Sequence, residues 1–377
     1  MQGQPPRILV RGVNWLGDAV MATPALQRLR EAQPASHISL LTHEKLADLW
    51  QGHPSIDSAI TFAPSETIWS IASRLRKEKF DTALVLPNSP RSALEVWLAR
   101  IPQRTGYARI WRNWFLTQAV PSRENRVVMR KRSVAEINRL IANTEHETRN
   151  MAYSNGAHQI HEYLNLVVTL GASSIPISPH IHVTSSELEL VATQFGLKLH
   201  ASEPIFGLNP GAEYGPAKRW PAERFISAAL EIQRQTRCRW LIFGGAGDFN
   251  VAHEIETGIQ SSLAKTAKAL LPLNLAGKTS LRELCVLLKL CRVVLTNDSG
   301  PMHVAAAVGT PVVVPFGSTS PELTGPGLPG DTRHKLLTAN APCSPCFLRS
   351  CPIDFRCMTG ISVERVVEAV LSAAKTN

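Results

Sequence analysis

No apolar run in these 377 residues is long enough to span a bilayer, which excludes a helical integral membrane protein. The opening Met1-Gln2-Gly3-Gln4-Pro5-Pro6-Arg7 is polar and passes straight into a strand-like run, so no signal peptide is expected and the predicted location is the cytoplasm. Neither the dinucleotide fingerprint G-x-G-x-x-G nor the P-loop G-x-x-x-x-G-K occurs at a strand-to-helix turn. No pattern of a nucleic-acid-binding module appears. Acidic residues are in deficit, 30 against 40 Lys and Arg, and the net charge of +10 points to an acidic partner. Nucleic acid, an anionic membrane and a phosphorylated substrate all satisfy that condition.

What is present is an alternation of short apolar runs with helical patterns. A hydrophobic content of 44% and this length describe a globular protein of two domains. Ile8–Val10, His37–Thr42, Ala59–Phe62 and Thr82–Leu86 read as strands, each followed by a helical segment, so a parallel sheet covered by helices is predicted. The pattern restarts at Ile205–Asn209 and continues through Trp240–Phe243 and Leu273–Gly277. Two doubly wound halves with a cleft between them are expected, joined within Ser173–Pro204.

The densest chemistry lies in Thr296-Asn297-Asp298-Ser299-Gly300-Pro301-Met302-His303. It follows the buried-strand pattern Arg292–Leu295 and opens an Ala-rich helix. Ligands of open α/β sheets bind at the carboxyl ends of strands, and helix-start amides suit a phosphate. Asp298 and Ser299 alone would read as a helix cap; His303 one turn on favours a site. Asp18 sits at a similar junction after the first strand, as a cap or as a general base. Asn88, Ser89 and Arg91 follow the strand Thr82–Leu86, on the rim expected to hold Asp18. Lys218, on a Gly/Pro-rich loop after Ile205–Asn209, can neutralise a diphosphate. Asp248 ends a glycine loop and can hold a ribose hydroxyl.

Two segments stand apart. From Arg100 to Arg149, arginines alternate with Tyr107, Trp111, Trp114 and Phe115. This mixture suits single-stranded nucleic acid, anionic lipid headgroups or a plain solvated basic face; the lipid reading is preferred for want of a nucleic-acid module. Cys238, Cys285 and Cys291 are scattered and read as buried small residues. Cys343, Cys346, Cys351 and Cys357 cluster with spacings unlike paired zinc knuckles. A metal or redox site and a packed loop of reduced thiols both fit, with the thiols preferred.

The motifs Asn14–Asp18, Leu86–Ser89, Arg104–Tyr107, Pro210–Pro221 and Thr296–Ala307 together resemble the bacterial ADP-heptose lipopolysaccharide heptosyltransferases, the second-heptose type most of all. The resemblance implies a GT-B fold, two Rossmann-like domains with acceptor binding in 1–185 and nucleotide-sugar binding in 186–377, the latter carrying the Cys-rich segment 343–357 and a C-terminal helix. It implies inverting transfer of heptose from ADP-heptose to a lipid A–Kdo–heptose acceptor at the cytoplasmic face of the inner membrane, with no metal, other cofactor or nucleic acid. By the same resemblance Asp18 is the base. Lys218, Asp248, Asp298, Ser299, Gly300 and His303 hold the donor, and Asn14, Asn88, Arg91 and Arg104 the acceptor. A transferase for another nucleotide sugar and a nucleic-acid-binding protein are the rival expectations.

Overall fold

The computed structural model describes residues 5–142, 155–199, 203–264 and 270–375. The chain forms two compact units. One comprises Met1–Arg126 and Gly156–His180, the other Val127–Asn155 and Ile181–Asn377.

The first unit is built on six strands: β1 (Arg7–Arg11), β2 (His37–His43), β3 (Ser58–Phe62), β4 (Thr82–Val85), β5 (Gln103–Tyr107) and β6 (Gln118–Val120). They pair in the order β3-β2-β1-β4-β5-β6, every pair parallel. Leu9 lies between Ser39 on β2 and Ala83 on β4. The second unit repeats the plan with β7 (Ile205–Asn209), β8 (Arg239–Ile242), β9 (Leu273–Asn274), β10 (Val293–Thr296), β11 (Val312–Phe316) and β12 (Lys335–Thr338), ordered β12-β11-β10-β7-β8-β9. Central strands of a parallel sheet are covered on both faces, which is why β11 and, up to its terminal Thr296, β10 are apolar runs, buried at every position. In both sheets the strand order reverses once, between β1 and β4 and between β7 and β10. Such a reversal leaves a crevice at the carboxyl ends of the two central strands.

Several expectations meet a local correction. The single helix expected over Ala19–Glu31 is two, Leu16–Met21 and Thr23–Ala32. Pro24 has no amide to donate to the Val20 carbonyl, and the Thr23 hydroxyl takes that carbonyl instead at 2.8 Å. The basic stretch after Arg100 contributes β5 and β6, which complete the first sheet. A single division after residue 185 differs from the observed one. The helix Val134–Ala142 leaves the first unit and buries Ile137 in the core of the second, beside Trp220, Cys343 and Met358. Among the described residues no helix is long and apolar enough to cross a membrane.

His53 and His334 are two of the histidines buried within the units. His53 accepts the Ser55 amide through Nδ1, and His334 accepts that of Val312. Burial pulls the pKa of each down to about 4; His180 adds to the effect at His53, while Asp331 partly opposes it at His334. Both groups fold neutral and charge more readily when unfolded, so their stability is intact above pH ~6.5 and is lost as pH falls from there towards 4. Melting temperature is therefore expected to drop steeply across that window, and His334→Asn, which keeps an acceptor for Val312, should flatten the slope in a thermal melt series.

Candidate active site

At the first crevice, the loop after β1 carries Asn14 and leads to Asp18, and the loop after β4 carries Asn88 and leads to Arg91 in the helix Pro90–Leu98. Asp18 lies in the first turn of helix Leu16–Met21, the helix end at which a negative charge is favourable. The hydroxyl of Tyr163, from the helix Ile160–Val167, donates to Asp18 Oδ1 at 3.1 Å. Tyr163 is buried, and burial together with the Asp18 charge drives its pKa well upward, so it stays a donor. Beneath Asn14 lies a buried ion pair, Arg11 Nε to Glu95 at 2.9 Å, in which both side chains are nearly inaccessible. Arg11 also donates to the Asn14 side chain at 3.0 Å and stacks its guanidinium over Phe62. Glu95 receives Arg91 on its other oxygen at 3.2 Å. Two of the sequence-predicted residues, Asn14 and Arg91, are thus fixed by one network.

Asn88 is fixed separately, by Arg112. That guanidinium is fully buried, donates to Asn88 Oδ1 at 3.2 Å and has its pKa pulled down to about 10, chiefly by burial. It rests on the backbone of Gly106, where a Cβ would come within 2.9 Å of Nη2. Arg104 is not brought to this rim. It stands near the start of β5, paired with Ala83, and its guanidinium binds the carbonyls of Ile101, Pro102 and Phe115.

At the second crevice, the loops after β7 and β10 meet in an ion pair between Lys218 Nζ and Asp298 Oδ2 at 2.6 Å, both largely buried. Thr319, after β11, donates to the same oxygen at 2.5 Å. The Lys218 ammonium also lies 5.0 Å from the ring centre of Tyr214. Asn209, at the end of β7, donates to Ser299 and Thr296, and Asn297 ties the loops together through the Trp220 amide and the Pro210 carbonyl. Ser299 is extended and precedes the helix Gly300–Ala307, whose positive end therefore opens beside Lys218 and Asp298. His303 is buried in that helix. Asp248 folds over Gly211, where a Cβ would lie 2.3 Å from its carboxyl carbon; it accepts the Gly245 amide and pairs with Arg219 at 3.4 Å.

The cysteine segment supports this crevice from behind. The Arg349 carbonyl accepts the Ala217 amide, Tyr214 donates to the Phe347 carbonyl at 2.7 Å, and Phe347 in turn donates to Ser318. The approach at Gly215 is so close that a Cβ there would meet the Arg349 carbonyl at 2.5 Å. All seven cysteines are free thiols. Cys343, Cys346, Cys351 and Cys357 line one small cavity of about 10 Å³. Burial and the neighbouring thiols push Cys357 up to about 12. Among the described residues no group of three or more His, Cys, Asp or Glu side chains is placed to hold a metal ion.

The profile described as glycosyltransferase family 9 (heptosyltransferase) matches residues 68–355. The lipopolysaccharide heptosyltransferase 2 of Salmonella typhimurium is 31% identical over 329 residues, 85% of either chain.

The chain belongs to glycosyltransferase family 9.

Another relative, the lipooligosaccharide heptosyltransferase 2 of Campylobacter jejuni, is 26% identical over 98% of this chain and 99% of its own. The solved structure of the Escherichia coli ADP-heptose lipopolysaccharide heptosyltransferase II superposes with a TM-score of 0.76 at 26% identity, covering 98% of this chain and 99% of that one. The two parallel six-stranded sheets are the Rossmann-like pair of the GT-B class.

In this glycosyltransferase the residues that sequence reasoning missed act through others. Tyr163 was hidden as one position of an apolar helical stripe, and Arg112 in a run of arginines with no mark of its burial. Glu95 carried no motif; its spacing from Arg91, one helical turn, was the available signal. Removing one partner of a buried pair leaves an uncompensated charge, so Glu95→Leu should cost about 3–5 kcal/mol, read by urea denaturation.

Proposed function

We propose that this glycosyltransferase adds the second heptose of the lipopolysaccharide inner core, taking it from ADP-heptose. The observation that carries the reading is the Lys218–Asp298 pair at the second crevice, beside the start of helix Gly300–Ala307. A fixed cation and a positive helix end there suit a sugar diphosphate, and the relatives that cover 85% of the chain are named for this transfer.

On this reading Asp18 accepts the proton of the acceptor hydroxyl as that oxygen attacks the anomeric carbon of the heptose. The bond to the diphosphate breaks in the same displacement, the anomeric configuration inverts, and ADP leaves. Tyr163 orients the Asp18 carboxylate. An ammonium has three donors; Asp298 holds one, and Lys218 turns its charge towards the departing diphosphate. The amides at Ser299 and Gly300 share that task, so the chain's own groups supply the stabilisation without a metal or other cofactor. Asp298 holds the heptose, His303 supports the loop or the phosphate, and Asp248 takes the ribose. Asn14, Asn88 and Arg91 meet the acceptor, and Arg104 shapes the adjoining loop. The acceptor, lipid A–Kdo–heptose, is membrane-bound, which places the enzyme in the cytoplasm against the inner membrane.

ADP release from ADP-heptose, measured with acceptors that carry or lack the first heptose, tests the reading. Release that needs the first heptose supports it; release only with the heptose-free acceptor would make this a first-heptose enzyme. Asp18→Asn is expected to lower turnover by about 10²–10⁴-fold with ADP binding unchanged; near-normal turnover would remove Asp18 as base. Lys218→Ala should weaken donor binding and turnover together in steady-state kinetics.

A further inference from the structure

The loop 108–117, between β5 and β6, displays three large apolar side chains within five residues. Ile110, Trp111 and Trp114 are 81%, 77% and 83% exposed. Trp97 and Phe115 continue the patch, their rings 5.7 Å apart, and Trp97 is itself 45% exposed. The loop is held firmly. Ala108 donates to Val120, Asn113 caps the Arg109 amide, Arg104 binds the Phe115 carbonyl, and the buried Arg112 ties the loop to Asn88.

Trp111 has φ +68°, a left-handed conformation that a bulky residue adopts at a cost and that glycine or asparagine adopts freely. An exposed tryptophan that fills no core and strains its own backbone points to a role outside the unit. The chemistry around it specifies the partner. Between residues 96 and 126 the exposed Arg100 and the partly exposed Arg104, Arg109, Arg123 and Arg126, the last two paired with Glu162, stand against the exposed Glu124, while the buried Arg112 adds no surface charge. Tryptophans on a positively charged surface match the headgroup layer of an anionic bilayer, where an amphipathic ring sits between water and hydrocarbon.

We propose that loop 108–117 is a membrane-contacting element, with Trp111 and Trp114 entering the headgroup region of an anionic bilayer. The proposal rests on the lipid-linked acceptor inferred above. The loop begins at the carboxyl end of β5, the neighbour of β4, after which Asn88 lies, so the same docking would bring the first unit's rim to the lipid surface.

The test uses the full-length protein and vesicles of phosphatidylcholine and phosphatidylglycerol in equal parts, with pure phosphatidylcholine beside them. The wild type should sediment with the mixed vesicles, and brominated lipid should quench its fluorescence. The Ile110→Ser, Trp111→Asn, Trp114→Ser variant should lose vesicle affinity by more than ~tenfold, lose the quenching and melt no lower than the wild type. Its turnover on a deacylated, water-soluble acceptor should be unchanged. Unaltered vesicle binding by the variant would overturn the proposal, as would wild-type binding to pure phosphatidylcholine alone. Loss of affinity for a single-stranded oligonucleotide, with vesicle binding intact, would make the loop a nucleic-acid surface instead. If the proposed transfer is wrong, neither protein turns over, yet the vesicle comparison still reads the loop on its own.

Discussion

The second unit converges on one ion pair. Lys218 and Asp298 come from loops after neighbouring strands, and their 2.6 Å contact fixes the distance between those loops. Neither charge is well solvated, so either one alone would be costly where it stands. The flanking contacts hold the pair in place. Thr319 fills a further site on the carboxylate, Asn297 clasps both loops, and the cysteine segment blocks retreat of Tyr214 and Ala217. A salt bridge so supported is less a source of stability than a preset electrostatic environment.

The first unit solves the same problem differently. Its rim is fixed from below, by charges that never reach the surface. Arg11 and Glu95 position Asn14 and Arg91, and Arg112 positions Asn88. Glycine makes this possible at two places in the molecule. Gly106 admits the Arg112 guanidinium and Gly211 admits the Asp248 carboxylate; any side chain would collide at either position. These glycines sit inside the family motifs for reasons of close approach.

Much of this was legible in the sequence because strand-to-helix junctions announce themselves locally. Asp18, Asn88, Lys218 and Asp298 each follow an apolar run, and the reversal of strand order places those runs at the centres of the sheets. Short edge strands were harder to read: β6 has three residues and β12 is only half-buried, so neither shows a core pattern. Long-range partners left no local trace. Tyr163 meets Asp18 from 145 positions away, and no periodicity within its own helix distinguishes it. Arg104 misled for the complementary reason, since a conspicuous arginine in a motif can serve carbonyl oxygens of its own loop.

The path of the backbone bears on how the molecule can be divided. The chain passes from one unit to the other after Arg126, after Asn155 and again after His180. Neither unit is therefore a continuous piece of sequence. A fragment ending near residue 180 would carry the helix Val134–Ala142 with its apolar face uncovered, and the complementary fragment would lack Ile137 from the centre of its core. A gene cut at that apparent boundary would yield two products each damaged by the same helix. An excised second unit requires that helix to be restored, by circular permutation or by adding it as a separate peptide.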